Sequence, residues 1–123
     1  MPKNTKMRPT KKLKLEELGR IDVETFKKTD KIPLVVVLDN VRSMHNVGAA
    51  FRTADAFLVE KIILCGITPK PPHREIHKAA LGATESVDWQ FYENVKEAVI
   101  DLKTLGYEVV GIEQTTNSVM ITD

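Results

Sequence analysis

The fold of this chain is decided by residues 32–40, IPLVVVLDN, an unbroken apolar run that stops at Asp39 and Asn40. The run is rich in β-branched side chains, and its length and polar end are typical of a strand buried on both faces of a parallel sheet. A second run of this kind, KIILCG, follows at residues 61–66. The sequence therefore predicts two parallel strands joined by one crossover.

The segment between the two runs has the spacing of an amphipathic helix. Its apolar side chains recur every three or four residues, at Val47, Ala50, Phe51, Ala54, Phe57 and Leu58. Asn46 precedes this pattern, where its side chain can cap the first free amides of a helix. Strand, loop, helix and strand then form a βαβ unit, whose crossover should be right-handed.

The remaining segments continue this order. We predict a short helix near 13–21 that Gly19 ends, a helix at 74–81 that Gly82 ends, a strand at 86–92, a helix at 94–105 that Gly106 ends, and a fourth strand at 107–112. The fold class is therefore α/β, with an open, mostly parallel sheet and flanking helices. Ligands of such sheets collect beyond the carboxyl ends of the strands, so the loops at 39–46 and 66–73 are where we expect chemistry.

Size and composition limit the classes of protein that fit. The 123 residues suit one domain, the single Cys65 excludes an internal disulfide, and no apolar stretch approaches the length of a membrane span, so we expect a cytoplasmic protein. The net charge of +1 hides a basic arm, since Lys3, Lys6, Arg8, Lys11, Lys12 and Lys14 all precede the first acidic residue. We expect residues 1–30 to form this arm and a short helix, and 31–123 the domain. The arm either neutralises phosphates or is a solvated terminus.

The loop and helix after the first strand combine features that suit an anion. Residues 39–54, DNVRSMHNVGAAFRTA, leave a strand end, open a helix and place Arg52 within it. Helical spacing puts Gly48, Arg52 and Asp55 on one side, where nearby small residues would let a partner subunit approach. The alternative is that Asn46 is only a cap and that Arg52 pairs with Asp55 on a solvated face.

The spacing Asn-x-Gly-x-x-x-Arg-Thr-Ala after a buried strand resembles the first signature of the SpoU/TrmH branch of the SPOUT methyltransferases. The similarity continues through 62–65, 78–83 and 107–113. It implies transfer of a methyl group from S-adenosylmethionine to a ribose 2'-hydroxyl of tRNA or rRNA by a homodimer. Arg52 would then meet the RNA phosphate and ribose, and Asn46 would hold that geometry. Because Arg is nearly always protonated, Arg52 suits electrostatic stabilisation better than proton abstraction.

The same resemblance places the methyl-donor site elsewhere. The second and third signatures, which form a C-terminal trefoil knot, are expected after Asp123, so we expect 31–123 to be the N-terminal part of such a domain. On this expectation the cofactor-binding residues are unknown and the chain as written is inactive. A smaller departure is Leu58, where many relatives carry Gly.

Other side chains are candidates for RNA contact. Arg42 and His45 lie in the first strand-end loop, while Lys70, His73, Arg74 and Lys78 form a basic lip near the second; Lys11 and Lys12 belong to the arm. His73 and His77 could share a metal at i, i+4, but the zinc protease signature is incomplete, so we predict no metal site. Cys65 and Trp89 are best interpreted as core residues.

Three other functions remain as alternatives. A non-catalytic RNA-binding or dimerisation α/β module would keep the same residues without the donor site. A phosphate receiver using Asp39 fits less well, because receivers cluster acidic residues at strand ends and this loop contains Asn and Arg. A dinucleotide-binding fold fits least, since no Gly-x-Gly-x-x-Gly follows the first strand.

Overall fold

A parallel three-stranded sheet forms the centre of the chain in a computed structural model that describes residues 22–113, 116 and 119–120. Its strands are β1 (Ile32–Asp39), β2 (Val59–Cys65) and β3 (Trp89–Tyr92), in the order β1-β2-β3. The predicted α/β class and parallel sheet are confirmed. The basic arm and the helix predicted near 13–21 lie outside the described residues.

Five helices surround the strands within the described part of the chain. They are α1 (Val23–Lys28), α2 (Met44–Ala56), α3 (Arg74–Ala80), α4 (Ala83–Ser86) and α5 (Val95–Thr104). None of them is long and apolar enough to cross a bilayer. The helices predicted over 74–81 and 94–105 are confirmed to within one residue at each end, and Leu81 and Gly106 both take positive φ where α3 and α5 end.

The central strand β2 separates two hydrophobic clusters. Ile62 and Leu64 face a cluster built with α1, α2, α3 and α4, whereas Ile63 and Cys65 face a cluster built with α5. All four side chains are at most 1% exposed. Successive side chains of a strand point to opposite faces, so β2 is the buried strand that the sequence pattern described.

β1 differs from its prediction. Expected to be buried on both faces, it is an edge strand among the described residues, with Ile32 and Leu34 exposed and Val35 to Leu38 half-buried. It pairs only with β2. The apolar run identified a strand correctly, but burial depends on how many neighbours the strand acquires.

The predicted fourth strand, residues 107–112, is wrong. These residues follow α5 without regular structure, and Val110 and Ile112 are 77% and 85% exposed. Tyr107 is held instead by its amide, which donates to Leu102 O, and by its hydroxyl, which contacts Glu60 Oε1. An apolar run becomes a strand only where a neighbouring strand accepts its backbone hydrogen bonds.

The third strand begins later than predicted, and the first helix was not predicted. The strand was predicted to begin at Ser86, but α4 occupies residues 83–86 and β3 begins at Trp89. Helix α1 was not predicted, although Asp22 caps it by accepting from the Thr25 amide at 2.8 Å. Hydrogen bonds from Thr25, its backbone amide foremost, lower the pKa of the Asp22 carboxyl group.

Candidate nucleic-acid interface

The three strands end in a row. Asp39 of β1 stands beside Cys65 of β2, and Cys65 stands beside Tyr92 of β3. The β1–α2 and β2–α3 loops therefore leave the same edge of the sheet, which we call the carboxyl edge. This is the position where open parallel sheets bind their ligands.

Helix α2 begins earlier than its apolar pattern suggested. Ser43, not Asn46, is the N-cap, and the Ser43 Oγ accepts from the Asn46 amide at 3.0 Å. Asn46 instead lies in the first turn with an exposed side chain. The prediction of Asn46 as the cap is therefore wrong. The missed signal was Ser43 itself, since Ser is among the residues preferred at this position.

The small-residue side of α2 contacts another helix of the same chain. A Cβ added to Gly48 would lie 2.4 Å from the Ile76 carbonyl oxygen and 2.7 Å from the Ala79 Cβ. Gly48 thus allows α3 to approach α2 closely. The partner subunit expected at Gly48 is replaced there by α3, which the sequence could not indicate because the contact joins distant segments.

Arg52 lies on the same side of α2 as this contact. It follows Gly48 by four residues, which is one turn of the helix, and its side chain is exposed beside α3. The expectation that Arg52 points away from the main core is confirmed. Asp55, however, is only 4% exposed, so the alternative of an Arg52–Asp55 pair on a solvated face does not describe this helix.

Two exposed loops carry most of the other RNA-contact candidates. Arg42 and His45 are exposed in and just after the β1–α2 loop; Lys70, His73, Arg74 and Lys78 are exposed in the β2–α3 loop and α3. The exposed carboxylates in these same segments are Asp39 and Glu75. Cations outnumber carboxylates, so this surface favours an anionic partner.

His73 of the basic lip and the nearby His77 both have structural partners. His73 caps α3, with its Nδ1 accepting from the Glu75 amide at 3.2 Å, and His77 Nδ1 lies 3.2 Å from Thr84 Oγ1. No group of three or more metal-ligating side chains occurs among the described residues. Lys70 places its ammonium group 4.0 Å from the centre of the Phe91 ring, so an aromatic contact helps to orient it.

Cys65 and Trp89 belong to the core. Cys65 is fully buried, and this burial raises the pKa of its thiol, with the nearby Asp39 carboxylate adding to the effect. The thiol is therefore poorly suited to nucleophilic chemistry. Trp89 is half-buried against the cluster of α1 to α4. The core interpretation is confirmed for Cys65, whereas Trp89 packs against the core without being fully buried.

Comparison with known proteins identifies a family. The SpoU rRNA Methylase family matches residues 33–123. The 23S rRNA (guanosine-2'-O-)-methyltransferase RlmB of Nitrosomonas europaea is 35% identical over 78 residues, covering 63% of this chain and 30% of that protein. The RlmB protein of Pseudomonas aeruginosa is 32% identical over 88 residues, covering 72% and 36%.

Solved structures show the same fold. The A. aeolicus TrmH/SpoU tRNA modifying enzyme aligns with a TM-score of 0.54 at 25% identity, over 68% of this chain and 41% of that one. The SpoU methyltransferase AviRb from Streptomyces viridochromogenes, in complex with AdoMet, aligns with a TM-score of 0.56 at 18% identity, over 66% and 31%. This chain spans about a third of the length of the RlmB relatives. Motif, fold and family match agree that the chain belongs to the SpoU rRNA Methylase family.

Proposed function

We propose that this chain supplies the RNA-binding side of an RNA 2'-O-ribose methyltransferase acting on transfer or ribosomal RNA. The observation that carries the proposal is the exposed Arg52 on the α3 side of α2, a helix that begins at a carboxyl edge rich in exposed cations. The reaction class comes from the relatives named as 23S rRNA (guanosine-2'-O-)-methyltransferases.

Arg52 is the residue to which we assign the central contact. A guanidinium group stays protonated at any physiological pH and offers several donors in one plane, which suits the oxygen atoms of a phosphate. The same charge can stabilise negative charge that develops on a ribose oxygen. Asn46, exposed in the first turn of α2, can donate or accept a hydrogen bond nearer the start of the helix.

The surrounding cations are assigned to the RNA backbone. Arg42 and His45 flank the start of α2, and the basic lip of Lys70, His73, Arg74 and Lys78 lies across the contact between α2 and α3. Contacts of this kind position an RNA without reading its sequence. Lys11 and Lys12 of the arm would add to them, although both lie outside the described residues.

The methyl donor of the proposed reaction is S-adenosylmethionine. A ligand of this size needs a concave site with several available polar groups. At the carboxyl edge, Asn40 and Thr68 are already hydrogen-bonded within the chain. A depression lined by Pro33, Leu105, Gly106, Tyr107 and Glu108 lies at the opposite, amino end of the strands. We therefore assign no donor-binding residue within 22–113 and derive no step through the donor.

The family resemblance also supports two further parts of the proposal, the oligomeric state and the cellular compartment. We infer a homodimer, whose mass in solution can be measured by light scattering after size-exclusion chromatography. We also infer action in the cytoplasm, because the bacterial relatives are named as methyltransferases of 23S rRNA.

The first test is RNA binding by the Arg52→Ala variant. A fluorescein-labelled RNA hairpin is titrated with the wild-type chain and the variant, and anisotropy gives the affinity at several salt concentrations. Loss of one phosphate contact should weaken binding by about tenfold and lower the slope of log affinity against log salt by about 1.

The matched control is Lys103→Ala, which removes an exposed cation from α5 on the other face of the sheet. It should leave affinity within about twofold, because single rim charges contribute little. Equal losses from Arg52→Ala and Lys103→Ala would mean that RNA is attracted only by overall charge. Transfer of a labelled methyl group from S-adenosylmethionine to RNA, measured with the whole methyltransferase of which this chain would supply the RNA-binding side, then distinguishes an enzyme from the alternative, a non-catalytic RNA-binding module.

A further inference from the structure

Two strand-end loops at the carboxyl edge are joined by side-chain hydrogen bonds that the proposed function does not use. Thr68, in the β2–α3 loop, is only 3% exposed. Its Oγ1 accepts from the Val41 amide at 3.0 Å and lies 2.7 Å from Cys65 O and 3.1 Å from Leu38 O. One hydroxyl therefore contacts the end of β1, the end of β2 and the loop that leads to α2.

Asn40 makes a second connection between the same loops. Its side-chain Oδ1 accepts from the Ile67 backbone amide at 3.0 Å, and its backbone N–H donates to Cys65 O at 3.1 Å. Asn40 has φ of 55°, a left-handed conformation that Asn adopts more readily than most residues. Asn40, one of the two polar residues that end the apolar run of β1, therefore suits the left-handed backbone of this turn.

Gly66 makes this connection possible. A Cβ at residue 66 would lie 2.1 Å from Asn40 Oδ1, inside any allowed contact distance. Its amide also donates to Tyr92 O at 3.1 Å, which links the ends of β2 and β3. Asn40, Gly66 and Thr68 therefore form one unit, which we call the strand-end brace.

We propose that Asn40 and Thr68 of the strand-end brace are positioning residues for RNA, because they fix the β1–α2 loop relative to the β2–α3 loop. Arg42 directly follows Val41, whose amide Thr68 holds, and Lys70 follows Thr68 by two residues. The brace thereby sets the separation of cations from two different loops. This inference rests on the proposed function, since it concerns the same RNA-binding surface.

Fixed loops matter because cations on mobile loops must lose conformational entropy when they bind. A brace that holds both loops before binding removes part of this loss. Thr68 and Asn40 act only through Arg42 and Lys70 and need not touch the RNA themselves. Removing the brace should therefore weaken RNA binding and also reduce the contribution of Arg42.

The experiment compares Thr68→Val, which keeps the shape but removes the hydroxyl, with Thr68→Ser, which keeps the hydroxyl. Asn40→Gly removes the amide side chain without adding backbone strain. Leu102→Val is the stability control, because it trims a buried side chain of α5 on the other face of the sheet. All variants are made in the full chain and titrated with a fluorescein-labelled RNA hairpin, and amide exchange of Val41 and Ile67 is measured by NMR.

We expect Thr68→Val and Asn40→Gly to weaken RNA binding about fivefold, and Thr68→Ser to stay within about twofold of the wild type. Arg42→Ala should cost about tenfold in the wild-type chain but less than about threefold in the Thr68→Val chain. Exchange at Val41 should accelerate in Thr68→Val, exchange at Ile67 should accelerate in Asn40→Gly, and neither should change in Leu102→Val.

Three outcomes would overturn the inference. Faster exchange at Val41 with unchanged RNA affinity would leave the brace a purely structural feature. An equal cost of Arg42→Ala in the two chains would show that Thr68 does not act through Arg42. A wild-type chain with no affinity for RNA would remove the proposed function and the inference together, whereas the first two outcomes leave the proposed function intact.

Discussion

The two faces of the sheet are covered very differently. On one face α1, α2, α3 and α4 pack around Phe26, Phe51 and Ile76, each at most 1% exposed. On the other face α5 is the only helix of the described residues that packs on the sheet, and Val35 and Val37 of β1 remain half-buried. The motif that resembles the SpoU signature lies on the first face. The residues proposed to meet RNA are therefore carried by the more closely packed half of the molecule.

The largest expected effect tests this difference directly. Phe51→Ala should lower the free energy of unfolding by about 4 kcal/mol, because a fully buried aromatic side chain is removed between α2 and the sheet. Leu102→Ala, on the α5 face and 6% exposed, should cost about 2 kcal/mol. Urea denaturation followed by circular dichroism measures both values. Equal losses would mean that the two faces contribute alike to stability.

A smaller effect concerns the contact between α2 and α3. Gly48→Ala should destabilise the chain by about 2 kcal/mol, because the new Cβ meets the backbone of Ile76, which cannot move without separating the helices. Ala is otherwise favoured over Gly within a helix by about 1 kcal/mol, so a net loss must come from this clash.

Gly111→Ala is the control for this substitution, since no described residue apart from its chain neighbours lies within 4 Å of a Cβ there. It should change the free energy of unfolding by no more than about 0.5 kcal/mol, as a surface substitution does. Urea denaturation of both variants measures this quantity. A stabilised Gly48→Ala chain would show that α3 does not approach α2 as closely as described.

The smallest effect concerns Leu58, between α2 and β2. Leu58 has φ of 57°, a left-handed conformation that costs a residue with a Cβ about 1 kcal/mol. Leu58 is also half-buried against the closely packed face. Leu58→Gly should therefore change the unfolding free energy by less than about 1 kcal/mol, as relief of strain offsets lost burial. A loss above about 2 kcal/mol, measured by urea denaturation, would mean that packing dominates at this position.

Local patterns predicted the elements whose determinants are local. The apolar runs of β1 and β2 and the helical spacing in α2 and α5 were sufficient to place those elements and their order. Two errors came from contacts between distant residues. Residues 107–112 have the composition of a strand but no strand partner among the described residues, and Gly48 faces α3 rather than a second subunit.

The candidate site was predictable to a similar extent. The exposure of Arg52 follows from helical spacing alone, and so does its separation from the core positions Val47, Phe51 and Ala54. The Ser43 cap was overlooked because Asn46 has an equally suitable side chain. Thr68 could not be identified from the sequence, because its role depends on three groups contributed by the end of β1, the end of β2 and the β1–α2 loop.

The central claim is that RNA binds at the carboxyl edge on the closely packed face. The most direct measurement is an NMR titration of the labelled chain with an unlabelled RNA hairpin, which follows every backbone amide. We predict that the largest shifts fall on residues 41–52 and 70–78, with little change over 95–104. Shifts concentrated on α5, or spread evenly over both faces, would contradict the claim.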